Sequence, residues 1–178
     1  MIIHFVHQSV DGFIEGPDGE FDWPVMGPEM SAYANALSRD ADTFLYGRVV
    51  WEMMSSYWPQ AEEISDHPHD LEFAPIWREK SKVVVSRTLP DPGGNARVVR
   101  DLADLRDIPG TLLLFGGSDL AAGLTEAGLV DEYHIFVHPA VLGGGKPVFK
   151  DPSRRVTLDL VESRVLDAQA VLLRYRRR

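Results

Sequence analysis

The chain has 178 residues, 44% of them hydrophobic and 25% charged, which is typical of one ordinary globular domain with a sizeable core. Its formal net charge of −9 disfavours general binding to nucleic acids or to anionic membranes. It contains no cysteine, which excludes disulfides, thiolate metal sites and cysteine nucleophiles. No apolar run is long enough to span a membrane and no signal-peptide pattern opens the chain, so we expect a soluble cytoplasmic protein.

The first forty residues predict a central strand, a loop and a helix. Residues 1–7 are apolar and rich in β-forming side chains. The turn signal at residues 16–19 predicts a loop at the end of this strand, where ligands of open α/β sheets usually bind. Residues 28–39 predict a helix, with a proline in its first turn and Glu29 near its positive end.

Three later strands, predicted at residues 43–46, 82–85 and 111–115, each end in residues that suit a phosphate group. The residues that follow them are Gly47-Arg48, Ser86-Arg87-Thr88 and Gly116-Gly117-Ser118. Guanidinium, hydroxyl and free backbone N–H groups all bind phosphate. An arginine beside a serine beyond a strand also suits the 2′-phosphate that distinguishes NADPH from NADH. Each arginine alone is more commonly a solvated surface charge, so the prediction depends on the three strand ends together.

The last of these turns predicts a diphosphate site. Ser118 is predicted to be the N-cap of a helix that runs to about Gly128. Two adjacent glycines leave room for a phosphate to reach the backbone N–H groups at the positive end of the helix. On spacing alone, a lone Gly-Gly-Ser is more often an ordinary strand-to-helix turn.

The remaining segments complete an α/β pattern. Residues 55–75 are predicted to be the least regular region, with a helical turn resuming over 73–80, and residues 133–138 predict another strand. Residues 97–99 predict a short strand, with a helical turn after it. From residue 156 apolar and polar residues alternate on both sides of Asp167-Ala168-Gln169, which predicts an antiparallel hairpin. We therefore predict a single α/β domain over residues 1–178, with a mixed, mostly parallel sheet that ends in antiparallel strands.

An ordered set of motifs resembles the dihydrofolate-reductase-like superfamily. The motifs are SVDGFIEGPDGEFDW, LYGRVVWE, KVVVSRTL, LLLFGGSDL and LVDEYHIFVHPAVLGGGKPVF, and they cover nearly the whole chain. They are most similar to the branch that contains the RibD C-terminal domain, the reductase of riboflavin biosynthesis. The resemblance implies a three-layer α/β fold, NADPH bound across the strand ends, and a homodimer.

The resemblance also implies which residues bind the cofactor. Arg48, next to Gly47, would contact the cofactor phosphates, and Ser86 and Arg87, followed by Thr88, would hold the 2′-phosphate. The pyrophosphate turn would consist of Gly116, Gly117, Ser118 and Asp119, with Leu120 behind it.

On the substrate side the resemblance implies Ser9, Asp11 and Gly12, under a loop that includes Trp23. Trp51, Tyr57 and Trp58 are candidate stacking walls, with core or lid packing as the alternative. True dihydrofolate reductases have a threonine where this chain has Val50, and a carboxylate on the first helix, where only Glu29 is acidic here. True folate reduction is therefore not expected.

The leading hypothesis is an NADPH-dependent reductase of a small heterocycle, such as a pterin or a ribosylaminopyrimidine, by hydride transfer to a C=N or C=O bond. Asp11 and Glu29, or a water that they position, are the candidate proton donors, although an Asp-Gly pair often only forms a turn. An NADP(H)-binding protein without turnover is the first alternative. A metal-dependent enzyme is the second, with candidate ligands at residues 66–70 and at His134 and His138.

Overall fold

The computed structural model describes residues 1–150, Ser153 and residues 155–178. An eight-stranded sheet forms its middle layer, with the order β5-β4-β3-β6-β1-β7-β10-β9. The strands of this sheet are β1 (Ile2–Ser9), β3 (Thr43–Gly47), β4 (Ser81–Val85), β5 (Ala96–Val99), β6 (Leu112–Phe115), β7 (Glu132–His138), β9 (Leu158–Leu166) and β10 (Ala170–Arg177). Two short strands, β2 (Phe13–Glu15) and β8 (Lys146–Pro147), pair separately.

The sheet is parallel from β5 to β7 and antiparallel at β10, which pairs with β7 and β9. The predicted mostly parallel sheet with an antiparallel C-terminal hairpin is therefore confirmed. The central strands read as continuous apolar runs because helices cover both of their faces.

Helices lie on both faces of the sheet and give three layers. The helices are α1 (Pro28–Asp40), α2 (Arg48–Tyr57), α3 (Ala61–Ile64), α4 (Pro68–Glu79) and α5 (Ser118–Glu126), with 3₁₀ turns at Trp58–Gln60 and Leu102–Asp107. One buried cluster joins Met30 of α1 and Trp77 of α4 to Phe44 and Phe136 of the sheet. A second cluster joins Leu124 of α5 to the opposite face.

Residues 55–75 are helical rather than irregular, so the prediction for this segment was wrong. The segment contains the end of α2, a 3₁₀ turn, α3 and most of α4. Pro68 stands in the first turn of α4, where its missing N–H costs nothing, and the His67 ring accepts a hydrogen bond from the His69 N–H. Phe73 and Trp77, four residues apart, form the buried face of this helix.

The C-terminal hairpin turn caps the start of α1. The Asp167 carboxylate accepts hydrogen bonds from the N–H groups of Glu29 (2.9 Å) and Met30 (3.0 Å). The Glu29 carboxylate in turn accepts the Asp167 N–H at 2.5 Å. This reciprocal cap joins residues 138 positions apart and satisfies two N–H groups that the helix leaves free. Within the described ranges, no helix combines the length and apolar character needed to cross a membrane.

Candidate functional site

A cleft of about 740 Å³ opens at the carboxyl edge of the sheet. Because β1, β3, β4 and β6 run parallel, their carboxyl ends meet at this edge, where open α/β sheets bind ligands. The cleft is lined mostly by apolar and aromatic side chains. Those from the centre of the sheet and from the helices around it include Phe5, Val6, Val50, Met54, Trp58, Phe73 and Phe115.

Two helices begin next to each other at this cleft. Gly47 is the N-cap of α2 and Gly117 is the N-cap of α5, and in the described part of the chain neither helix receives a side-chain cap. A Cβ placed on Gly47 would lie 3.5 Å from the Leu120 Cβ, and one on Gly117 would lie 3.4 Å from Val50 Cγ2. The first N–H groups of both helices therefore lack intrahelical acceptors on the same side of the cleft, which creates a positive potential there.

The Gly116-Gly117 turn presents its backbone to this space. Both residues have left-handed backbone angles, with φ of 48° and 76°. A Cβ on Gly116 would meet no atom within 4 Å, and the Gly116 N–H donates to the Phe5 carbonyl at 3.2 Å. The turn is thus fixed to β1 on one side and open on the other, as close approach by a phosphate requires.

Ser118 is the first residue of α5 rather than its N-cap, so that prediction was wrong. Its hydroxyl donates to the Pro147 carbonyl at 2.5 Å, because β8 passes close to the start of the helix. Gly117, with its left-handed backbone, takes the cap position instead. The Ser118 hydroxyl therefore ties the turn to β8.

The charged residues of this part of the cleft occur mainly in ion pairs. Arg48 contacts Glu52 at 2.9 Å, one helical turn further along α2. Lys146 contacts Glu15 at 2.8 Å across the β2–β8 ribbon. Both pairs are substantially exposed and therefore contribute little stability. Either cation can leave its carboxylate and bind a more highly charged anion, such as a phosphate, with little loss of free energy. Asp119 and Leu120 also line the cleft.

Ser86, Arg87 and Thr88 follow Val85, which lines the cleft, but they are not themselves lining residues. The buried Ser86 hydroxyl accepts the N–H groups of Thr88 (3.3 Å) and Leu89 (3.0 Å), so it shapes the turn. Arg87 is exposed on this turn.

Arg100, which the sequence did not single out, donates to the Ser86 carbonyl at 2.7 Å. The structure thus brings a second guanidinium to the Ser86 turn. Arg100 follows β5 directly, and a basic residue at the end of a predicted parallel strand was the signal that could have identified it.

Ser9, Asp11 and Gly12 form the turn that follows β1. The Asp11 carboxylate accepts hydrogen bonds from the Ser9 hydroxyl (2.6 Å) and from the N–H groups of Gly143 (2.7 Å) and Leu142 (3.1 Å). The Ser9 hydroxyl and these backbone donors hold the pKa of Asp11 below its usual range. The three residues are not among those that line the cleft, and Asp11 joins the end of β1 to the glycine-rich loop before β8.

Trp23, Trp51 and Glu29 also lie outside the lining set, whereas Tyr57 and Trp58, the other two candidate stacking walls, line the cleft. The Trp23 ring packs edge-on against His138 at 5.6 Å between centroids, and its Nε1 is buried without a partner among the described residues. Trp51 stacks on Trp77 at 6.0 Å. The Glu29 carboxylate accepts the Asp167 N–H, as described above. The roles assigned to these residues stay predictions.

Two histidines that were not predicted for the cofactor or substrate site line the cleft instead, and one of them, His69, was predicted only as a candidate metal ligand. The His7 Nδ1 lies 2.8 Å from the His138 Nε2, and the His7 ring stacks on Phe136 at 4.9 Å. The His69 Nδ1 lies 2.9 Å from the Ser31 hydroxyl. Burial lowers the pKa of His7 to about 3, with His138 and His69 adding repulsion, and burial also lowers the pKa of His69. Both rings are therefore neutral at pH 7.

The candidate metal ligands do not converge. In the described part of the chain, no group of three or more His, Asp or Glu side chains is placed to hold a metal ion. His67 caps α4, Asp70 accepts the Tyr57 and Ser65 hydroxyls at 2.7 Å each, and the His134 Nε2 lies 3.2 Å from the Glu132 carboxylate.

Comparison with known families decides the relationship. The family model of the RibD C-terminal domain matches residues 1–104 and 95–172. The chain belongs to the RibD C-terminal domain family. The uncharacterized protein YyaP of Bacillus subtilis is 35% identical over 173 residues, which span 94% of this chain and 89% of YyaP.

Solved structures support the same fold. A protein of Shewanella sp. PV-4 named "Putative riboflavin biosynthesis protein" is 25% identical, with a TM-score of 0.77 and coverage of 99% of this chain and 98% of that one. Dihydrofolate reductase of Enterococcus faecalis, complexed with NADP(H), is 15% identical, with a TM-score of 0.66 over 99% of this chain and 96% of that one.

The bifunctional diaminohydroxyphosphoribosylaminopyrimidine deaminase/5-amino-6-(5-phosphoribosylamino)uracil reductase of Thermotoga maritima is 16% identical, with a TM-score of 0.69. The alignment covers all of this chain but only 56% of that protein. The RibD C-terminal domain family member described here therefore has a dihydrofolate-reductase-like fold, as predicted.

Proposed function

We propose that this protein is an NADPH-dependent reductase of a small heterocyclic substrate. The observation that carries the proposal is the pair of adjacent helix starts at the cleft, at Gly47 and Gly117, neither capped by a described side chain. Two positive helix ends beside an open glycine turn suit the two phosphates of a dinucleotide.

Family membership supports the coarser part of this proposal. The RibD C-terminal domain family and the dihydrofolate-reductase-like fold favour an oxidoreductase. One solved structure of this fold is a complex with NADP(H), and another is named as a uracil-derivative reductase. The fold and the cleft both favour an oxidoreductase that binds a nicotinamide dinucleotide.

The described residues suit each part of the cofactor. The backbone of Gly116, Gly117 and Ser118, together with Asp119 and Leu120 in the first turn of α5, would hold the pyrophosphate. Arg48, which follows Gly47, supplies a guanidinium at the start of α2. Arg87, with Ser86, Thr88 and Arg100 on the neighbouring turn, would hold the 2′-phosphate.

Bound NADPH would supply the hydride in a cleft that is largely apolar. Phe5 and Phe115 lie on its floor, 5.5 Å apart between ring centroids, and exclude water from the reacting atoms. Asp11, in the turn with Ser9 and Gly12, and Glu29 are the predicted proton donors, and Trp23 is a predicted neighbour of the substrate. Because both carboxylates already accept backbone hydrogen bonds, we expect either to act through a water that it orients.

A homodimer is part of the proposal. The edge strand β9 and its neighbour β10 expose Leu160, Val161, Val165 and Val171, and apolar side chains grouped on one sheet edge favour association. Sedimentation at micromolar concentration would distinguish a dimer from a monomer, and Val165→Lys should shift the equilibrium towards the monomer. A cytoplasmic location is expected for such a reductase.

Turnover is tested by following NADPH oxidation across a panel of pterins and ribosylaminopyrimidines. Oxidation that depends on one compound, with the reduced product identified by mass spectrometry, would support the reductase. NADPH binding without oxidation across the panel would favour the alternative, an NADP(H)-binding protein without turnover. Absence of NADPH binding would contradict both.

A further inference from the structure

Two neutral imidazoles line the same cleft from opposite sides. His7 belongs to β1 in the sheet and His69 belongs to α4 in the covering layer. The rings lie near each other, since His69 contributes to the lowered pKa of His7. The cleft thus has a polar group on its floor and another on its opposite wall.

Each ring makes a hydrogen bond through its Nδ1 atom. His7 is tethered through Nδ1 to His138, and His69 through Nδ1 to the Ser31 hydroxyl. Aromatic contacts fix the ring planes, because His7 stacks on Phe136 and His69 stacks on Phe73. The second nitrogen, Nε2, has no hydrogen-bond partner on either ring within the described residues.

These two Nε2 atoms remain accessible from the cleft. The fully buried side-chain polar atoms without a partner, in the described ranges, are both ring nitrogens of His4, Trp23 Nε1 and Asn35 Oδ1. The Nε2 atoms of His7 and His69 are not among them, and both residues line the cleft. A bound molecule can therefore reach a free ring nitrogen on each side.

Each Nε2 can act as a donor or as an acceptor. A neutral imidazole carries one proton, and its position follows the hydrogen bond made by the other nitrogen. The partners of the tethered nitrogens, a hydroxyl and a second imidazole, can each donate or accept. The pair can therefore match a ring edge that alternates N–H and C=O or ring-nitrogen groups.

The charges around this pair disfavour an anion. The cations that line the cleft, Arg48 and Lys146, lie near the helix starts, where Pro147 contacts Ser118. Asp70 lines the cleft beside His69 and accepts the Tyr57 hydroxyl at 2.7 Å. A carboxylate bound at the histidine end would meet a like charge.

We propose that His7 and His69 bind the substrate through their Nε2 atoms and select an uncharged planar heterocycle over an anionic one. The substrate class rests on the proposed reductase function, whereas the hydrogen-bonding role of the two rings does not. The histidines are specificity residues of the cleft, and the apolar walls contribute the stacking surface.

Matched substitutions separate the tether from the free nitrogen. An asparagine amide reaches about as far as Nδ1, so His7→Asn and His69→Asn keep the tether and remove the group that faces the cleft. A glutamine amide reaches about as far as Nε2, so His7→Gln and His69→Gln restore it. His67→Asn is the control, since His67 lies two residues before His69, at the N-cap of α4, and outside the cleft lining.

The experiment is calorimetric titration of the full chain, saturated with NADP⁺, with two pairs of probes: pterin and pterin-6-carboxylate, and uracil and orotate. We expect an uncharged member to bind at least tenfold more tightly than its carboxylate partner. Each His→Asn change should weaken binding of the uncharged probe about tenfold, because one polar group of the probe loses its hydrogen-bond partner. The Gln variants should stay within about threefold of the wild type on the same scale, and NADP⁺ affinity should not change.

Three results would overturn the inference: the carboxylates bind as tightly as the uncharged rings, the Asn variants bind like the wild type, or no uncharged probe binds while NADP⁺ does. Failure of NADP⁺ itself to bind would instead contradict the proposed reductase. The same titrations without cofactor would then test the histidine pair alone. We again expect the uncharged rings to bind more tightly than the carboxylates, and the Asn variants to bind the uncharged rings more weakly than the wild type.

Discussion

His4 makes the stability of this protein depend on pH in a way that can be calculated. The His4 side chain is 1% exposed on β1, and neither ring nitrogen has a hydrogen-bond partner in the described part of the chain. Burial lowers its pKa from 6.5 to about 4. Since the folded pKa is below the unfolded one, the unfolded chain binds more protons between these values, and stability falls as the pH falls through this window.

The size of the effect follows from the two pKa values. At pH 4.5 the His4 ring is protonated in nearly all unfolded chains but in only about a quarter of folded ones, so acidification from pH 7.5 costs about 2.5 kcal/mol at this position. His4→Leu removes the titration. At pH 7.5 the variant should be as stable as the wild type or up to about 1 kcal/mol more stable, because no unpaired ring nitrogen stays buried.

Urea unfolding at pH 7.5 and pH 4.5, followed by tryptophan fluorescence, measures this difference. The loss of unfolding free energy on acidification should be about 2.5 kcal/mol smaller in His4→Leu than in the wild type. Ile2→Val is the control, since Ile2 lies on the same strand and face and does not titrate. Equal losses in the wild type and in His4→Leu would refute the assignment of a buried, neutral His4.

Two further substitutions test the turn and the hairpin. Gly116→Ala should lower stability by about 1 kcal/mol from backbone strain and weaken NADPH binding at least tenfold, because its Cβ would occupy the open side of the turn. Gly93→Ala, with φ of 70° and equally open surroundings, should cost the same stability without affecting NADPH; weakened binding there as well would show a global effect. Asp167→Ala should cost about 1–2 kcal/mol in urea unfolding by uncapping α1, whereas Asp167→Asn should retain part of the cap. An unchanged midpoint in Asp167→Ala would show that the reciprocal cap contributes nothing.

Local patterns were sufficient to predict the sheet and the glycine turn. Residues 112–115 are apolar because β6 lies inside the sheet with helices over both faces, and Gly116-Gly117 follows because the chain needs two left-handed residues there. The C-terminal hairpin was predicted for a similar reason, since alternation on both sides of Asp167 is a local signal.

Contacts between distant segments were not predictable in this way. Ser118 follows a strand and precedes a helix, which suggests an N-cap, but its hydroxyl is taken by Pro147 from a strand 29 residues later. Glu29 is likewise engaged by a hairpin 138 residues away. A serine or a glutamate carries no sequence signal for such a partner, so tertiary packing overrides the local preference.

The two histidines of the cleft were not predicted for the cofactor or substrate site, for a related reason. His7 lies in an apolar strand and His69 in a segment rich in proline and acids, and each taken alone is ordinary. Only the register of β1 beside β7 and the packing of α4 over the sheet bring their rings to one cleft. Residue type was enough to predict a phosphate site at the strand ends, which stays a prediction, whereas the position of the two histidine rings depends on the fold.

The most direct test of the proposed cofactor site is a titration of the purified protein with NADPH and, separately, with NADH. Binding is read by tryptophan quenching, because Trp58 lines the cleft, and is checked by calorimetry. We expect tight NADPH binding and much weaker NADH binding. Arg87→Ala should lose most of this preference for NADPH over NADH. Arg39→Ala is the control, because Arg39 is a surface arginine paired with Glu72. Failure of both nucleotides to bind would contradict the reductase, and equal binding of the two would contradict the 2′-phosphate site at Arg87.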